Sequence, residues 1–520
     1  MLKIKSILLF SAIVTMPAQS SPLVYGEASQ IDSYDPYTGH ETAARRLTDL
    51  LFDDLITTSA TGRYEGGLAA SYKIKDNGAS VEITLRDKVA WHQNGGVLRY
   101  LSSDDVLTTI RLLQNKKSEI PNRDRFDIFK KVEKIGPLRL RIYFTRALID
   151  PLRVLMFKVL PHHKLASLES LKRSSPFVKR PVGTGPYKLI KSTKQGELKL
   201  SVHANYYKGT SKIPEIIMKP YSDQNIMAQS LMYSSLDLVT YVSPRDLPEM
   251  LGDRNIGVIP YDALSFTFFA MNNRQKFLQK RKVRQALSHA INRQEMLKAF
   301  FQDRGTLITG PFPPTSWAYN LDVKGNEFNP KRAENLLLSM DFKKVDGYWQ
   351  SPKGEKLVFD FAVPIGGESE TVKRISLAFQ SYLDDIGIKV HLKFMDWLVW
   401  KKRVLKDHDF DLTIASWSFD DASNIKSLFH SGHKGPWGNN FIGFSDKQVD
   451  MMLTEAAATN DFDKRKAIYH RLHSILSDQT PYIYLWTLRH HAAHQRRLSN
   501  VRVEPASFFK HVTKWQKKGG

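Results

Sequence analysis

The sequence predicts two α/β lobes. Three observations point there. The chain has 520 residues, more than one ordinary hydrophobic core accommodates. Strand-like and helix-like segments alternate from about residue 355 to 418, the pattern of βαβ units and a largely parallel sheet. The rhythm also changes near residue 270, after a first half richer in hairpin signals.

The elements follow in order. Leu23, Val24 and Tyr25 read as a strand, and Asp35-Pro36 as a turn. In ETAARRLTDLLFDDL, Leu47, Leu50, Leu51 and Leu55 recur at helical spacing and make one face. KIKDNGASVEITLR reads as two strands joined through Asp76-Asn77-Gly78. Ser102-Ser103-Asp104-Asp105 starts a helix, and LRLRIYF alternates as a half-buried strand. Residues 279–301 place Val283, Ala286, Leu287, Ala290, Ile291 and Leu297 on one helical face. Asn329-Pro330 supplies an N-cap and a first-turn proline. Beyond it come the strand KLVFDFAV, a helix over 369–386, the strand IKVHLKFM, a helix over 396–406, and the strand FDLTIASW.

The first twenty residues stand apart. Lys3 and Lys5 precede the apolar run Ser6 to Met16, then Pro17 and the small residues Ala18 and Ser20. This is the layout of a secretory signal peptide, with cleavage expected after Ser20; the run is too short to span a membrane. No later run reaches the ~18 apolar residues that a spanning helix needs. The chain has no cysteine, hence no disulfide and no lipid-bearing N-terminal cysteine. A free periplasmic protein is the expectation.

The formal net charge is +23, falling to +21 without Lys3 and Lys5. Nucleic acid is the first partner such a charge suggests. Export argues against it, and so does the scatter of the basic residues: Lys401-Lys402-Arg403 and Arg496-Arg497 are short clusters far apart. A solvated basic surface, drawn to anionic membrane or an acidic partner, fits better.

No catalytic constellation emerges. There is no G-x-S-x-G elbow, and His40-Glu41 lacks the second histidine of a zinc-protease helix. A secreted hydrolase therefore has no nucleophile setting. PVGTGPYKLIK, residues 181–191, has the glycines of a phosphate loop. Pro186 removes an N–H donor, and the residues after it read as extended rather than helical, so a turn is the better account. His490 and His494 could chelate a metal if helical, but no cysteine or paired carboxylate completes the shell. A solvated basic segment is the plainer reading, and neither cofactor nor metal is expected. Trp317, Trp417 and Trp437 fall in loop-like sequence and could line a cleft or cover a core edge. Asp420 and Asp421 follow FDLTIASW, where the carboxyl end of a strand can face a ligand crevice. On local grounds a turn or cap role is favoured for them.

Five stretches, in order, resemble one family. They are PVGTGPYKL, KVRQALSHAINRQEML, GPFPPTSWAYN, NPKRAENLL and RKAIYHRLHSILSDQTPYIYLW. Together they resemble the family 5 extracellular solute-binding proteins, the dipeptide- and oligopeptide-binding components of ABC importers, from about residue 23 to 500. The resemblance implies a two-lobed periplasmic-binding-protein clamp of type II, in the large three-subdomain form, that closes on a solute and presents it to an inner-membrane permease. The larger lobe would be discontinuous: residues 21–264 with an inserted subdomain over about 65–180, then a second lobe over 265–484, then a return over 485–520. The crossings would lie near Ser265–Asn272 and Tyr482–Thr487. A monomer is expected.

The resemblance also implies a site. Peptide binders of the family hold the ligand's α-amino group with an aspartate three residues after a tryptophan, and Trp417-Ser418-Phe419-Asp420 matches that pattern. Asp420 thus becomes the expected ammonium ligand, with Trp417, Trp437 and Asn440 lining the cleft. Such a charge-assisted hydrogen bond contributes ~1.5–3 kcal/mol. The peptide backbone lying as an added strand would supply the rest. Dipeptide-specific members carry an arginine after the strand matching KLVFDFAVP, and IGGESE stands there instead. A strict dipeptide preference is therefore not expected. Oligopeptides are, and a nickel chelate, haem or an oligosaccharide is the alternative within the same fold.

Overall fold

The computed structural model describes residues 21–518 apart from 29, 32, 40–41, 60–61, 94–95, 121–122, 149, 264, 366–368, 419–424, 437, 460 and 506. The segment expected to be a signal peptide lies outside these.

One twelve-stranded sheet runs through both lobes. In the second lobe Val358–Ile365 pairs in parallel with Lys389–Asp396 and Leu412–Ser418, as the alternation predicts. In the first lobe Leu23–Glu27 pairs in parallel with Glu215–Pro220 and Leu238–Val239. The middle of the sheet departs from the largely parallel expectation. Ser265–Met271 is antiparallel to both Leu412–Ser418 and Tyr482–Gln495. The reason is topological: Ser265–Met271 enters the second lobe straight from Ile256–Asp262, and Tyr482–Gln495 leaves by running back beside both.

That last strand is fourteen residues long. Residues 482–486 pair with Ser265–Met271, and residues 489–495 with Ile256–Asp262. The two chain crossings therefore lie side by side near Ala263 and Leu488. They are pinned by Ala263 N–H donating to the Leu488 carbonyl at 2.9 Å and Thr487 Oγ1 donating to the Ala263 carbonyl at 3.2 Å.

A separate four-stranded antiparallel sheet, Ala69–Lys75, Ser80–Leu85, Arg139–Phe144 and Phe129–Gly136, forms within the first lobe. Its hairpin turns through Asp76–Gly78, where Asn77 and Gly78 take positive φ of 51° and 89°. Asn and Gly tolerate that region at least cost. The helix Ser103–Gln114 begins with a capping box between Ser102 and Asp105.

The second lobe has a core on each face of its sheet. Along Ser265–Met271, Phe266, Phe268 and Ala270 face the helices Lys447–Ala458 and Phe462–Gln479. Phe269 and Met271 face Arg281–Ala290 and Ser369–Asp385. Strand alternation with both faces buried explains why this segment is almost wholly apolar. Each buried phenylalanine contributes ~1.5–3 kcal/mol. Two expected helices are irregular. Residues 279–301 break into Arg281–Ala290 and Arg293–Phe301, because the Asn292 side chain caps a new helix by accepting from Glu295 N–H. Residues 396–406 form one turn, Trp397–Trp400, followed by the wider π-type turn Lys401–Lys406.

Candidate functional site

A cavity of about 600 Å³ lies where the lobes meet the shared strand. Its first-lobe wall includes Asp49, Asp53, Asp54, Lys158, Pro186 and Lys208. Asp262 and Arg489 come from the crossing strands, and the loop carrying Thr315, Ser316 and Trp317 comes from the second lobe. Arg502, Glu504 and Lys510 come from the returning C-terminal segment.

The first-lobe wall is built by the glycine-rich turn. Gly183 N–H donates to His92 Nδ1 at 3.1 Å, and His92 N–H donates to the Gly183 carbonyl at 2.8 Å. His92 Nε2 and His203 Nδ1 each lie 3.0 Å from the Gly185 carbonyl. Gly185 N–H donates to the Leu51 carbonyl, and a Cβ on Gly183 or Gly185 would run into that same peptide. Close backbone approach is what the glycines supply. Burial, then the neighbouring His203, depresses His92 to about 3, so it is neutral and its Nδ1 accepts. The stretch is a turn, as expected, with a Cβ-free fit to the end of the helix Thr42–Leu51.

This turn delivers Thr184 to Asp53. Asp53 is buried and accepts from Thr184 Oγ1 at 3.0 Å, Tyr206 Oη at 3.0 Å, Tyr207 Oη at 3.3 Å and Lys208 Nζ at 3.1 Å. Lys158 Nζ bridges Asp49 and Asp54 at 2.9 Å each. Burial pulls the Lys158 ammonium down, but the two carboxylates outweigh it and hold its pKa well above the usual value. The carboxylates of this wall are thus engaged by groups of the protein itself.

The opposite wall is an aromatic loop. Trp317 packs against Phe462 and Tyr469 with ring centroids 5.2 Å apart in each case. The loop is braced by His473, whose Nδ1 accepts from Asn320 N–H at 3.0 Å while Nε2 lies 2.9 Å from Thr309 Oγ1. Burial depresses His473 to about 4, which keeps that acceptor free of a proton. A clasp joins this wall to the first-lobe segments carrying Tyr64 and Asp150. Arg465 donates to Asp150 at 2.8 Å, Tyr64 Oη donates to the same carboxylate at 2.6 Å, and the guanidinium lies between the Tyr64 and Trp317 rings. Arg63 pairs with Asp463 at 3.0 Å over the Phe462 ring.

The expected site residues fare differently. Trp417 is half-buried, lies over Phe268 at 6.4 Å and donates to Tyr482 Oη at 3.3 Å. It joins the same core cluster that Trp317 packs against, behind the cavity wall rather than in it. Asp420 and Trp437 lie outside the described residues. Asn440 departs from its expected place in the cleft lining. It is fully buried, donates to the His430 and Phe444 carbonyls and accepts from Phe444 N–H, so its amide braces a loop. His490 and His494 sit on a strand, which removes helical i, i+4 chelation. His490 instead meets the ring edges of Tyr241 and Tyr261. The described residues hold no cluster of three or more His, Cys, Asp or Glu able to bind a metal ion. Sequence reading missed Asp53, Arg489 and Arg502. Their signal is three-dimensional; only Trp317 stood out beforehand, as a loop tryptophan.

Two lobes joined through one shared strand around a cavity between them define a clamp-type binding protein. Comparison with known proteins agrees. Residues 63–439 match the family described as "Bacterial extracellular solute-binding proteins, family 5 Middle", and the chain belongs to that family. The oligopeptide-binding protein AppA of Bacillus subtilis is 23% identical over 511 residues, covering 96% of this chain and 92% of the relative. The heme-binding protein A of Haemophilus influenzae is 25% identical, covering 81% and 78%. Among solved structures, HbpA2 from Haemophilus parasuis superposes with a TM-score of 0.83 at 20% identity, covering 96% of this chain and all of that one. AppA from Bacillus subtilis in complex with a nonapeptide superposes at 0.71 and 22% identity, covering 97% and 100%. Among the described residues no helix is long and apolar enough to cross a membrane.

Proposed function

We propose that this chain captures peptides, oligopeptides in particular, and delivers them to an ABC permease. The observation that carries the reading is the cavity walled by both lobes and the shared strand, in a chain whose relatives include oligopeptide- and dipeptide-binding proteins aligned over more than nine-tenths of both sequences. Its volume falls within the ~300–1,000 Å³ of small-molecule sites. Residues 1–20 act as the export signal, and the mature protein works in the periplasm. Asp420 takes the ligand ammonium, with Trp437 beside it; Trp417, packed on the core behind the cavity wall, and Asn440 have no part in this. In support, Ser418 pairs with Ser265, the first described residue after the crossing, so the strand before Asp420 ends at the lobe junction. Asp420→Ala is expected to weaken binding of a random pentapeptide mixture by about tenfold to a hundredfold in calorimetry. Unchanged affinity would sink the assignment. Native mass spectrometry of protein from its own periplasm separates the alternatives: a peptide ladder supports this reading, and a single metal-chelate, haem or sugar mass replaces it.

A further inference from the structure

The cavity lining is balanced in formal charge although the chain is strongly basic. Five acids, Asp49, Asp53, Asp54, Asp262 and Glu504, stand against five bases, Lys158, Lys208, Arg489, Arg502 and Lys510. Balance in number conceals an imbalance in use. Asp49, Asp53 and Asp54 accept from Lys158 and Lys208, and Asp53 also from three hydroxyls. Glu504 accepts from Lys510 at 2.9 Å and from His511 at 2.7 Å, one on each oxygen.

The two arginines are held only by long ion pairs, without a side-chain hydrogen bond. Arg489 comes no closer than 3.9 Å to Asp262, its register neighbour on the crossing strand. Arg502 comes no closer than 3.8 Å to Glu504, whose oxygens are already engaged. Both separations exceed hydrogen-bond range. Among the described residues neither guanidinium donates a side-chain hydrogen bond. Each guanidinium carries five N–H donors in a planar fork that fits a carboxylate in bidentate fashion. Asp262 and Glu504 offset part of the two positive charges at long range, and both guanidiniums keep unused donors in the cavity lining. The saturated acidic wall has no matching demand for a cation.

We infer that Arg489 and Arg502 form an anchor for a ligand carboxylate. For a peptide this is the C-terminal carboxylate or an acidic side chain; for haem it is a propionate. The peptide form of the inference rests on the function proposed above. Arg489 sits one residue beyond the pinned crossing, so a carboxylate held there lies against the hinge itself. IGGESE offers no arginine after the strand Val358–Ile365, and this pair supplies the cationic group from another part of the fold.

The test compares acids with their neutral counterparts. A random pentapeptide mixture and the same mixture amidated at the C-terminus and at acidic side chains are titrated into the whole protein. Haem and its dimethyl ester form a second arm. The free acids are expected to bind tenfold or more tightly, and Arg489→Gln with Arg502→Gln should abolish that preference, bringing acid and neutral probes to the same affinity. Both side chains are substantially exposed and make only long ion pairs, so the variants should fold. Equal binding of acid and neutral probes overturns the anchor, as does an acid preference that survives both substitutions. Peptide binding without acid preference overturns the anchor and leaves the peptide reading standing. An acid preference confined to haem keeps the anchor and removes the peptide reading. Failure of all four probes to bind overturns both.

Discussion

The acidic wall and the arginine end of the cavity contain the same kinds of groups in opposite states. At the wall, Lys158 is enclosed between Asp49 and Asp54, and Asp53 collects four donors. At the arginine end, the nearest carboxylates stand beyond hydrogen-bond range. Charges that satisfy one another hold a wall in shape, whereas charges left unsatisfied are available to a visitor. Removing a group should therefore cost folding at the wall and binding at the other end.

The largest effect is expected at Lys158. Lys158→Ala leaves two largely buried carboxylates uncompensated and should cost ~3–5 kcal/mol in urea unfolding. A loss under 1 kcal/mol would break the contrast. Next comes acid. The His473 imidazole sits at about 4 in the fold against an ordinary value near 6.5, so between those values the unfolded chain binds the extra proton. Stability from this group is present above about pH 6.5 and is lost as pH falls toward 4, by on the order of 3 kcal/mol. His473→Gln should flatten that part of the pH–stability profile, and an unaltered slope would exclude His473 as the cause. The clasp follows. Arg465→Ala should cost ~1–3 kcal/mol and raise the radius of gyration in solution scattering, because Asp150 and Tyr64 lose a nearly buried partner. Arg63→Ala, in an exposed pair, should cost less than ~1 kcal/mol. Smallest of all, Arg489→Gln should change the unfolding free energy by no more than ~0.5 kcal/mol while weakening binding of acidic ligands.

Local pattern carried the elements but not the cavity. The hairpin at Asp76–Gly78, the capping box at Ser102 and the alternation from Val358 to Ser418 are short-range signals that survive in the fold. The wider turn at Lys401–Lys406 and the break at Asn292 were not visible in helical spacing, since both preserve the apolar face. Asp53 carries no local signal, because its donors come from about 130 to 155 residues away. Arg489 read as one basic residue in a basic segment, because the distance to its nearest carboxylate depends on the register with Asp262. The resemblance implied a cleft position for Asn440, whereas its amide is fully buried with both N–H groups donated to backbone carbonyls, out of a ligand's reach.

The strand Tyr482–Gln495 has a mechanical consequence. It is bonded to the second lobe at one end and to the first at the other, and its crossing is fastened to the neighbouring crossing at Ala263. Sliding one lobe past the other would shear ladder bonds on both sides, while turning about the crossings needs only a few dihedrals to change. The lobes are left with essentially a rotational degree of freedom. Whatever occupies the cavity is thus reported to the outside as an angle.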